Sequence, residues 1–258
     1  MPKILNLQYE NPKTHAKSIG RIEIKNQTQG SAELYFYGDI CSSTWDLWQQ
    51  EDRCPQDVAD FLNCLNGVKD IQIYINSGGG DSFAGLAIYN ILKRNNASKT
   101  VHIDGIAASA ASIIAMAGAP IITPPGAQIM DHNPWTIAMG NANDLRKIAD
   151  SLDVCGQGHV EVYLENAAEG VTEEQIKSMM DAETWMTGAQ AAQVFKNIDV
   201  QGTMVAASLD SGFLSRYQHV PKTLVKSEEP KPKEEPIPQD DGKESALARA
   251  KAVLALSR

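Results

Sequence analysis

The alternation of strand and helix patterns between residues 70 and 130 constrains the fold most. Residues 70–75 alternate apolar and polar side chains, which predicts a strand, and apolar residues at helical spacing follow over 82–94. The pattern continues with a strand at 100–103, a helix of small residues at 107–117, and strands at 121–123 and 127–130. Strands that alternate with helices predict βαβ units, and therefore an α/β fold with a parallel sheet.

The flanking regions add further elements to this α/β frame. Residues 1–40 are β-rich, and residues 141–168 carry a long polar helix pattern. The expected apolar stripe of that helix consists of Leu145, Ile148, Leu152, Cys155, His159, Val162 and Leu164. Shorter helices are predicted at 55–67, at 187–195, and after a capping box formed by Thr172 and Gln175.

The charge is distributed unevenly along the chain. There are 23 Lys and Arg against 32 Asp and Glu, which gives a net charge of −9. The seven basic and seven acidic side chains of residues 226–258 cancel, so the whole −9 belongs to residues 1–225. An acidic body argues against nucleic acid as a partner, because binding phosphate requires clustered Lys and Arg. Prolines among Lys and Glu at 226–240 predict a solvated linker, and a short helix pattern follows it.

Residues 105–130 contain no charged side chain, a pattern that can indicate a transmembrane helix. Small residues dominate this segment, however, and Pro120, Pro124 and Pro125 would break a helix. We therefore predict a buried helix and strand, and no membrane association. The N-terminus lacks the apolar core of a signal sequence and no cysteines have CxxC spacing. We expect a cytoplasmic protein with reduced thiols and no metal site.

Three segments carry groups suited to chemistry. The glycine-rich stretch 76–80 allows backbone N–H groups to approach a ligand, but it lacks the lysine of a P-loop, so no nucleotide cofactor is expected. Ser109 opens the small-residue helix, where backbone N–H groups would stabilise an oxyanion; Ser112 lies one turn later, and only one of the two can face a site. His132 follows a strand at its C-terminal end, where α/β sites lie. Taken singly, each segment also fits a purely structural role.

In combination these segments resemble the proteolytic subunit of the Clp protease, a family of serine peptidases, and more closely its phage-encoded relatives linked to head maturation. The similarity covers roughly residues 20–200. Its motifs follow the family order and lie at 74–80 with 85–90, at 105–109, at 130–134, and at 183–187 with Ala192, Ile198 and Asp199. Gly78 stands where the family usually has Pro, and Glu183 where it usually has Asp.

The resemblance implies a fold and a set of site residues. The fold is the ClpP/crotonase-like α/β fold of stacked βαβ units, with a protruding long handle helix at 141–168 and a flexible C-terminal tail. Ser109 would be the nucleophile, His132 the general base and Glu183 the acid of the triad. Asp181 is the alternative acid. The oxyanion hole would consist of the backbone N–H groups of Gly79 and Ala110.

The resemblance also implies an assembly and partners. We expect a homo-oligomer of heptameric rings that encloses the nucleophile in a chamber, acts on peptides or proteins, and uses no cofactor. The partner would be an AAA+ unfoldase or, as in the phage relatives, capsid or scaffold proteins. A catalytically inactive structural paralogue and a crotonase-type acyl-CoA enzyme are the alternatives. The expected divisions are an N-terminal segment at 1–19, the peptidase domain at 20–223, a linker at 224–243 and a C-terminal helix at 244–258.

Overall fold

The protein is described by a computed structural model. It covers residues 3–10, 17–24, 30–43, 53–65, 67–202, 216–221 and 224. Apart from Leu224, the predicted linker and C-terminal helix lie outside the described residues. Within these ranges, none of the helices has both the length and the apolar content that crossing a membrane requires.

Two sheets are present in the described part of the chain. The strands β1 (Lys3–Glu10) and β2 (Lys17–Ile24) form an antiparallel pair. The larger sheet contains β3 (Ser31–Phe36), β4 (Asp70–Ser77), β5 (Ser98–Ala108), β6 (Ile121–Thr123), β7 (Gln128–Asp131), β8 (Thr184–Thr187) and β9 (Ile198–Val200). Its parallel path runs β3-β4-β5-β6-β9, while β7 pairs in parallel with β5 and antiparallel with β8. The predicted α/β class with a parallel sheet is confirmed.

Six helices accompany the strands in the described ranges. They are α1 (Pro55–Cys64), α2 (Ser82–Arg94), α3 (Ala110–Ala115), α4 (Ala142–Glu165), α5 (Glu173–Asp181) and α6 (Gly188–Val194). The predicted capping box is present, because the Thr172 hydroxyl accepts from the Gln175 N–H and the Gln175 side chain accepts from the Thr172 N–H. Such reciprocal caps satisfy N–H groups that the first helical turn leaves unpaired, which explains why α5 begins at this point.

The core lies between the larger sheet and the helices that pack on it, with buried side chains from all six of the described helices. Ile71, Ile73 and Ile75 alternate inward along β4 and are fully buried. Helix α2 packs closely on α3 at Gly85, where there is no room for a side chain. A Cβ at this position would lie 2.9 Å from the Cβ of Ala110. This close packing fixes the position of α3, which begins directly after Ser109.

The boundary between β5 and α3 differs from the sequence expectation. Residues 107 and 108 belong to the end of β5, whereas the small-residue pattern predicted a helix from 107. Ala107 and Ala108 are fully buried in the sheet. Alanine periodicity cannot distinguish a buried strand from a buried helix, so the boundary was wrong by three residues.

Helix α4 is only half packed. Cys155, His159 and Val162 of the predicted stripe are buried, but Leu145 and Leu164 are 43% and 38% exposed, so the stripe was wrong at those two positions. No residue of α4 before Cys155 is buried. At the N-terminal end, no described residue of the chain covers the predicted stripe.

Candidate active site

Ser109 occupies a strained turn between β5 and α3. Its backbone has φ 54° and ψ −126°, and its N–H donates to the carbonyl of Met130 at 2.9 Å. A non-glycine residue with positive φ costs free energy and persists only where its surroundings impose it. The turn aims the hydroxyl out of the sheet edge, at the carboxyl ends of β5 and β7 where α/β sites form.

The hydroxyl of Ser109 and the imidazole of His132 form a hydrogen bond. The distance between Ser109 Oγ and His132 Nε2 is 2.6 Å, and the two residues are 4% and 7% exposed. Burial lowers the pKa of His132, and the negative charge of Glu183 partly opposes this effect. A neutral imidazole at this distance can accept the hydroxyl proton, which is the arrangement of an activated serine nucleophile.

Ser112, the other serine of this helix, faces the interior. Its hydroxyl donates to the carbonyl of Ser109 at 2.6 Å and bonds the hydroxyl of Tyr163 at 2.8 Å. Ser112 is fully buried. Of the two serines that the sequence left open, only Ser109 meets a histidine.

The glycine loop brings the two expected oxyanion donors together. Gly79 has φ 93°, and a Cβ there would lie 2.5 Å from the carbonyl oxygen of Ala108 and 3.1 Å from the backbone N of Ala110. Only glycine permits this approach. The N–H of Gly79 donates to the hydroxyl of Ser77 at 3.1 Å, so one expected donor is occupied inside the loop.

The two candidate acids have other partners. The carboxylate of Glu183 accepts from the backbone N–H groups of Gln218 at 2.9 Å and His219 at 2.7 Å. The carboxylate of Asp181 accepts from the side-chain amide of Asn133 at 2.7 Å. Among the described residues, neither acid is hydrogen bonded to His132, although Glu183 is near enough to affect its pKa.

Two further residues of the site were not predicted. The ring of Tyr217 contacts that of His132 edge-on, with centroids 5.1 Å apart and an angle of 78°. Asp131 is fully buried, and its carboxylate oxygens have no hydrogen-bond partner in the described part of the chain. Burial raises the pKa of Asp131 to about 7. The position of Asp131 next to His132 in the sequence is a signal that could have identified it, whereas no local pattern marks Tyr217.

A cleft of about 660 Å³ opens beside Ser109 and His132. Its walls combine apolar and charged side chains, including Ile40, Asp81, Phe83, Trp135, Ile137 and Arg216. Within the described ranges, no cluster of three or more His, Cys, Asp or Glu side chains could hold a metal ion. The cleft has the size of a ligand pocket and places the serine hydroxyl on its wall.

Comparison with known proteins agrees with this fold. Residues 49–194 match the family model described as Clp protease. The chain is 31% identical over 141 residues to the ATP-dependent Clp protease proteolytic subunit of Bacteroides fragilis, a match that covers 54% of this chain and 67% of that relative. It is 33% identical over 135 residues to the proteolytic subunit 1 of Chlamydia abortus, covering 51% and 69%.

The matches span between 63% and 69% of the length of these and three similar relatives. Among solved structures, a mutant of ClpP1 from Listeria monocytogenes superposes with a TM-score of 0.50 at 25% identity. That superposition covers 62% of this chain and 84% of the other. The family model alone spans more than half of the chain, and the chain belongs to the Clp protease family.

Proposed function

We propose that the protein is a serine endopeptidase of the Clp type. The observation that carries this proposal is the 2.6 Å hydrogen bond between Ser109 Oγ and His132 Nε2, formed at a strained strand-to-helix turn. Strain at such a turn is a cost that packing must offset, and it is typical of residues that a reaction needs in one position. Membership of the Clp protease family supports peptides and proteins as substrates.

In this mechanism His132 takes the proton of Ser109 while the oxygen attacks the carbonyl carbon of the substrate. The imidazolium then gives that proton to the departing amine, and an acyl-enzyme remains on Ser109. Water, deprotonated by the same imidazole, releases the acyl group and restores the serine. Burial keeps His132 neutral before the reaction, so it is ready to act as a base.

The oxyanion would be stabilised by one backbone N–H group at the start of α3 and one in the glycine loop. Ala110 and Gly79 are the expected donors, and their proximity across the glycine loop supports this assignment. The Gly79 N–H has to leave the Ser77 hydroxyl to take part. One donor of this kind contributes about 10²–10³ in rate.

We assign the role of the acid to Glu183, acting through its charge. A carboxylate near the imidazole stabilises the imidazolium that forms during the reaction, and Glu183 raises the pKa of His132. Asp181 remains the alternative, since its hydrogen bond to Asn133 places it beside the same loop.

The assembly, location and partners are also proposals. Homologues named proteolytic subunits support an oligomeric chamber, and the exposed apolar residues Ile137, Met139 and Val154 support contacts between copies through α4 and the loop before it. The four free cysteines support a cytoplasmic location. The partner would be either an AAA+ unfoldase or phage capsid and scaffold proteins, the latter as substrates.

A fluorophosphonate probe tests the nucleophile, because it forms a covalent bond only with an activated serine. We expect it to label the wild-type protein and Ser112→Ala, but not Ser109→Ala. Mass spectrometry of the labelled peptide identifies the serine. A crotonase-type enzyme or an inactive paralogue would show no labelling of the wild type, and labelling lost only in Ser112→Ala would refute the assignment of Ser109.

A further inference from the structure

The residue in ring contact with His132 comes from a part of the chain far beyond the matched family segment. Tyr217 lies in residues 216–221, hereafter the 216–221 segment, whereas the family match ends at residue 194. Tyr217 is only 8% exposed, and its ring meets the imidazole at 78°. An edge-to-face contact of this kind favours one orientation of both rings.

Several contacts hold Tyr217 in place. Its hydroxyl donates to the carbonyl of Gly78 in the glycine loop, and its ring meets that of Trp185 with centroids 6.0 Å apart. It also belongs to a small apolar cluster with Ile106, Ala108, Met130 and Leu224, which the side chain of Val220 joins. A side chain fixed on this many sides is part of the site architecture.

The carboxylate of Glu183 anchors the same segment. It receives both backbone N–H groups that follow Tyr217, those of Gln218 and His219. Hydrogen bonds to an ionised carboxylate are stronger than those between neutral groups. Glu183 itself has φ 48°, so the backbone is strained where the anchor forms. In this way the candidate acid is linked to His132 through the 216–221 segment.

We propose that Tyr217 is a positioning residue for His132: its ring holds the imidazole against Ser109 and excludes water from it, and Glu183 secures the segment that carries it. This inference rests on the proposed peptidase function. Tyr217 leaves the hydrogen bond between Ser109 and His132 intact and forms part of the wall of an open cleft. A side chain that blocked the site would instead separate the pair or fill the cleft.

Other groups also influence the titration of His132. Glu183 raises its pKa from the turn after α5, and His159 of α4 interacts with it electrostatically. Burial lowers the pKa of His159 to about 4, so His159 is neutral in the working range. Further titratable or charged groups in the described part of the site include Ser109, Asp131, Asp181, Tyr217, His219 and, on the cleft wall, Asp39, Asp81, Cys41, Cys155 and Arg216.

The test compares Tyr217→Leu with Tyr217→Phe through the pH dependence of kcat/KM on a fluorogenic peptide. Leucine fills the apolar cluster but lacks the flat ring, so water reaches the imidazole and its pKa rises. We expect the acidic limb to move up by roughly half a pH unit or more and kcat to fall about tenfold. Phenylalanine keeps the ring, and we expect it to restore the wild-type limb and most of kcat. Thermal melting verifies that both variants are folded.

Each result decides the question. The positioning role is overturned if the acidic limb of kcat/KM in Tyr217→Leu lies at the wild-type pH. It is also overturned if the limb shifts equally in Tyr217→Leu and Tyr217→Phe. Faster hydrolysis by Tyr217→Leu than by the wild type also overturns it, because Tyr217 would then obstruct the site. Failure of the peptidase proposal is distinguishable, since the wild type would not react with the fluorophosphonate. If Tyr217→Leu does not fold, Tyr217→Met replaces it as the apolar variant without a ring, and an acidic limb at the wild-type pH in that variant overturns the proposal.

Discussion

Two carboxyl groups near His132 have opposite surroundings. Glu183 receives two backbone N–H groups, while Asp131, next to His132 in sequence, is fully buried without a hydrogen-bond partner in the described ranges. Burying an ionised carboxylate without compensation is costly, so Asp131 holds its proton up to a pH of about 7. Of these two residues, Glu183 carries the charge that raises the pKa of His132, whereas Asp131 is protonated below a pH of about 7.

The raised pKa of Asp131 makes stability depend on pH. Between the unfolded pKa of 3.8 and the folded pKa of about 7 the native state binds the additional proton, so the free energy of unfolding falls as pH rises and is lowest above 7. Asp131→Asn removes this term. We expect the free energy of unfolding of the variant, measured relative to that of the wild type, to increase by roughly 2–4 kcal/mol between pH 4 and pH 8. Urea unfolding at both pH values measures this, and a gain independent of pH would contradict the assignment.

Charge removal at the two candidate acids distinguishes their roles. Glu183→Gln keeps an oxygen acceptor for the 216–221 segment but removes the charge that raises the pKa of His132. We expect the acidic limb of kcat/KM to move to lower pH and kcat to fall about tenfold or more. Asp181→Asn removes a carboxylate that accepts a hydrogen bond from the Asn133 side chain, and we expect no shift of the acidic limb of kcat/KM. The reverse pattern would assign the acid to Asp181.

At the scale of elements, the glycine loop and the turn at Ser109 form one unit. Gly79 and Ser109 both have positive φ, and their backbones nearly touch, so neither element can move without the other. The loop before α2 and the start of α3 thereby define the space where a carbonyl oxygen would lie. Tight packing of α2 on α3 through Gly85 keeps this space constant.

Substitution of glycine by alanine separates steric contact from backbone strain. Gly79→Ala places a Cβ 2.5 Å from the carbonyl oxygen of Ala108, which forces the turn at Ser109 to shift. We expect a loss of about 10²–10³ in kcat/KM and slow fluorophosphonate labelling. Gly170→Ala is the matched control, because Gly170 also has positive φ (88°) but no atom lies within 4 Å of the added Cβ. The control should lose about 1 kcal/mol of stability and retain its activity. Equal losses in both variants would show that strain alone is responsible.

Local patterns predicted most of these elements, for identifiable reasons. Helix α2 agrees with its expected bounds, because Asp81 caps it and the apolar spacing is clear. The end of β5 was missed, because buried alanines fit a strand as well as a helix. Helix α4 was predicted, but not the exposure of its N-terminal half, since an apolar stripe does not reveal what covers it. Strand β8 was not predicted either; it is four residues long and is defined by pairing with β7.

At the scale of the whole molecule, exposed apolar side chains lie on and before α4. Ile137 and Met139 are 86% and 94% exposed, and Val154 is 74% exposed. Apolar side chains left uncovered along one helix and its leading loop are typical of an interface between subunits. This exposure agrees with the oligomeric chamber proposed from the family.

Charge at this surface should disrupt the assembly. We expect Val154→Glu to shift the sedimentation coefficient from that of an oligomer towards that of a monomer or a smaller ring, since burying a charge at an interface is costly. Val200→Glu is the control, because Val200 is also exposed (38%) but lies on β9, the last strand of the parallel path. An oligomer unchanged in Val154→Glu would exclude this face of α4 from the interface. Hydrolysis of a short peptide should persist better than hydrolysis of a protein if the chamber alone is lost.

The predictability of the site depended on distance along the chain. Ser109, His132 and Gly79 stand within local motifs, and the structure brings the first two into hydrogen-bonding contact. Tyr217 lies 85 positions beyond His132, and its role depends on tertiary contacts that no local pattern encodes. The partner of Glu183 was unpredictable for the same reason, because backbone N–H groups carry no sequence signature.

The position of the 216–221 segment has a practical consequence for anyone who shortens this protein. A version ending where the family similarity ends, at residue 194, would retain the serine, the histidine and both acids. It would lack the tyrosine beside the histidine and would leave the Glu183 carboxylate without its two backbone donors. Such a fragment would keep the motifs that carry the serine, the histidine and both acids and yet give misleading kinetics, so shortened versions should extend at least through Leu224.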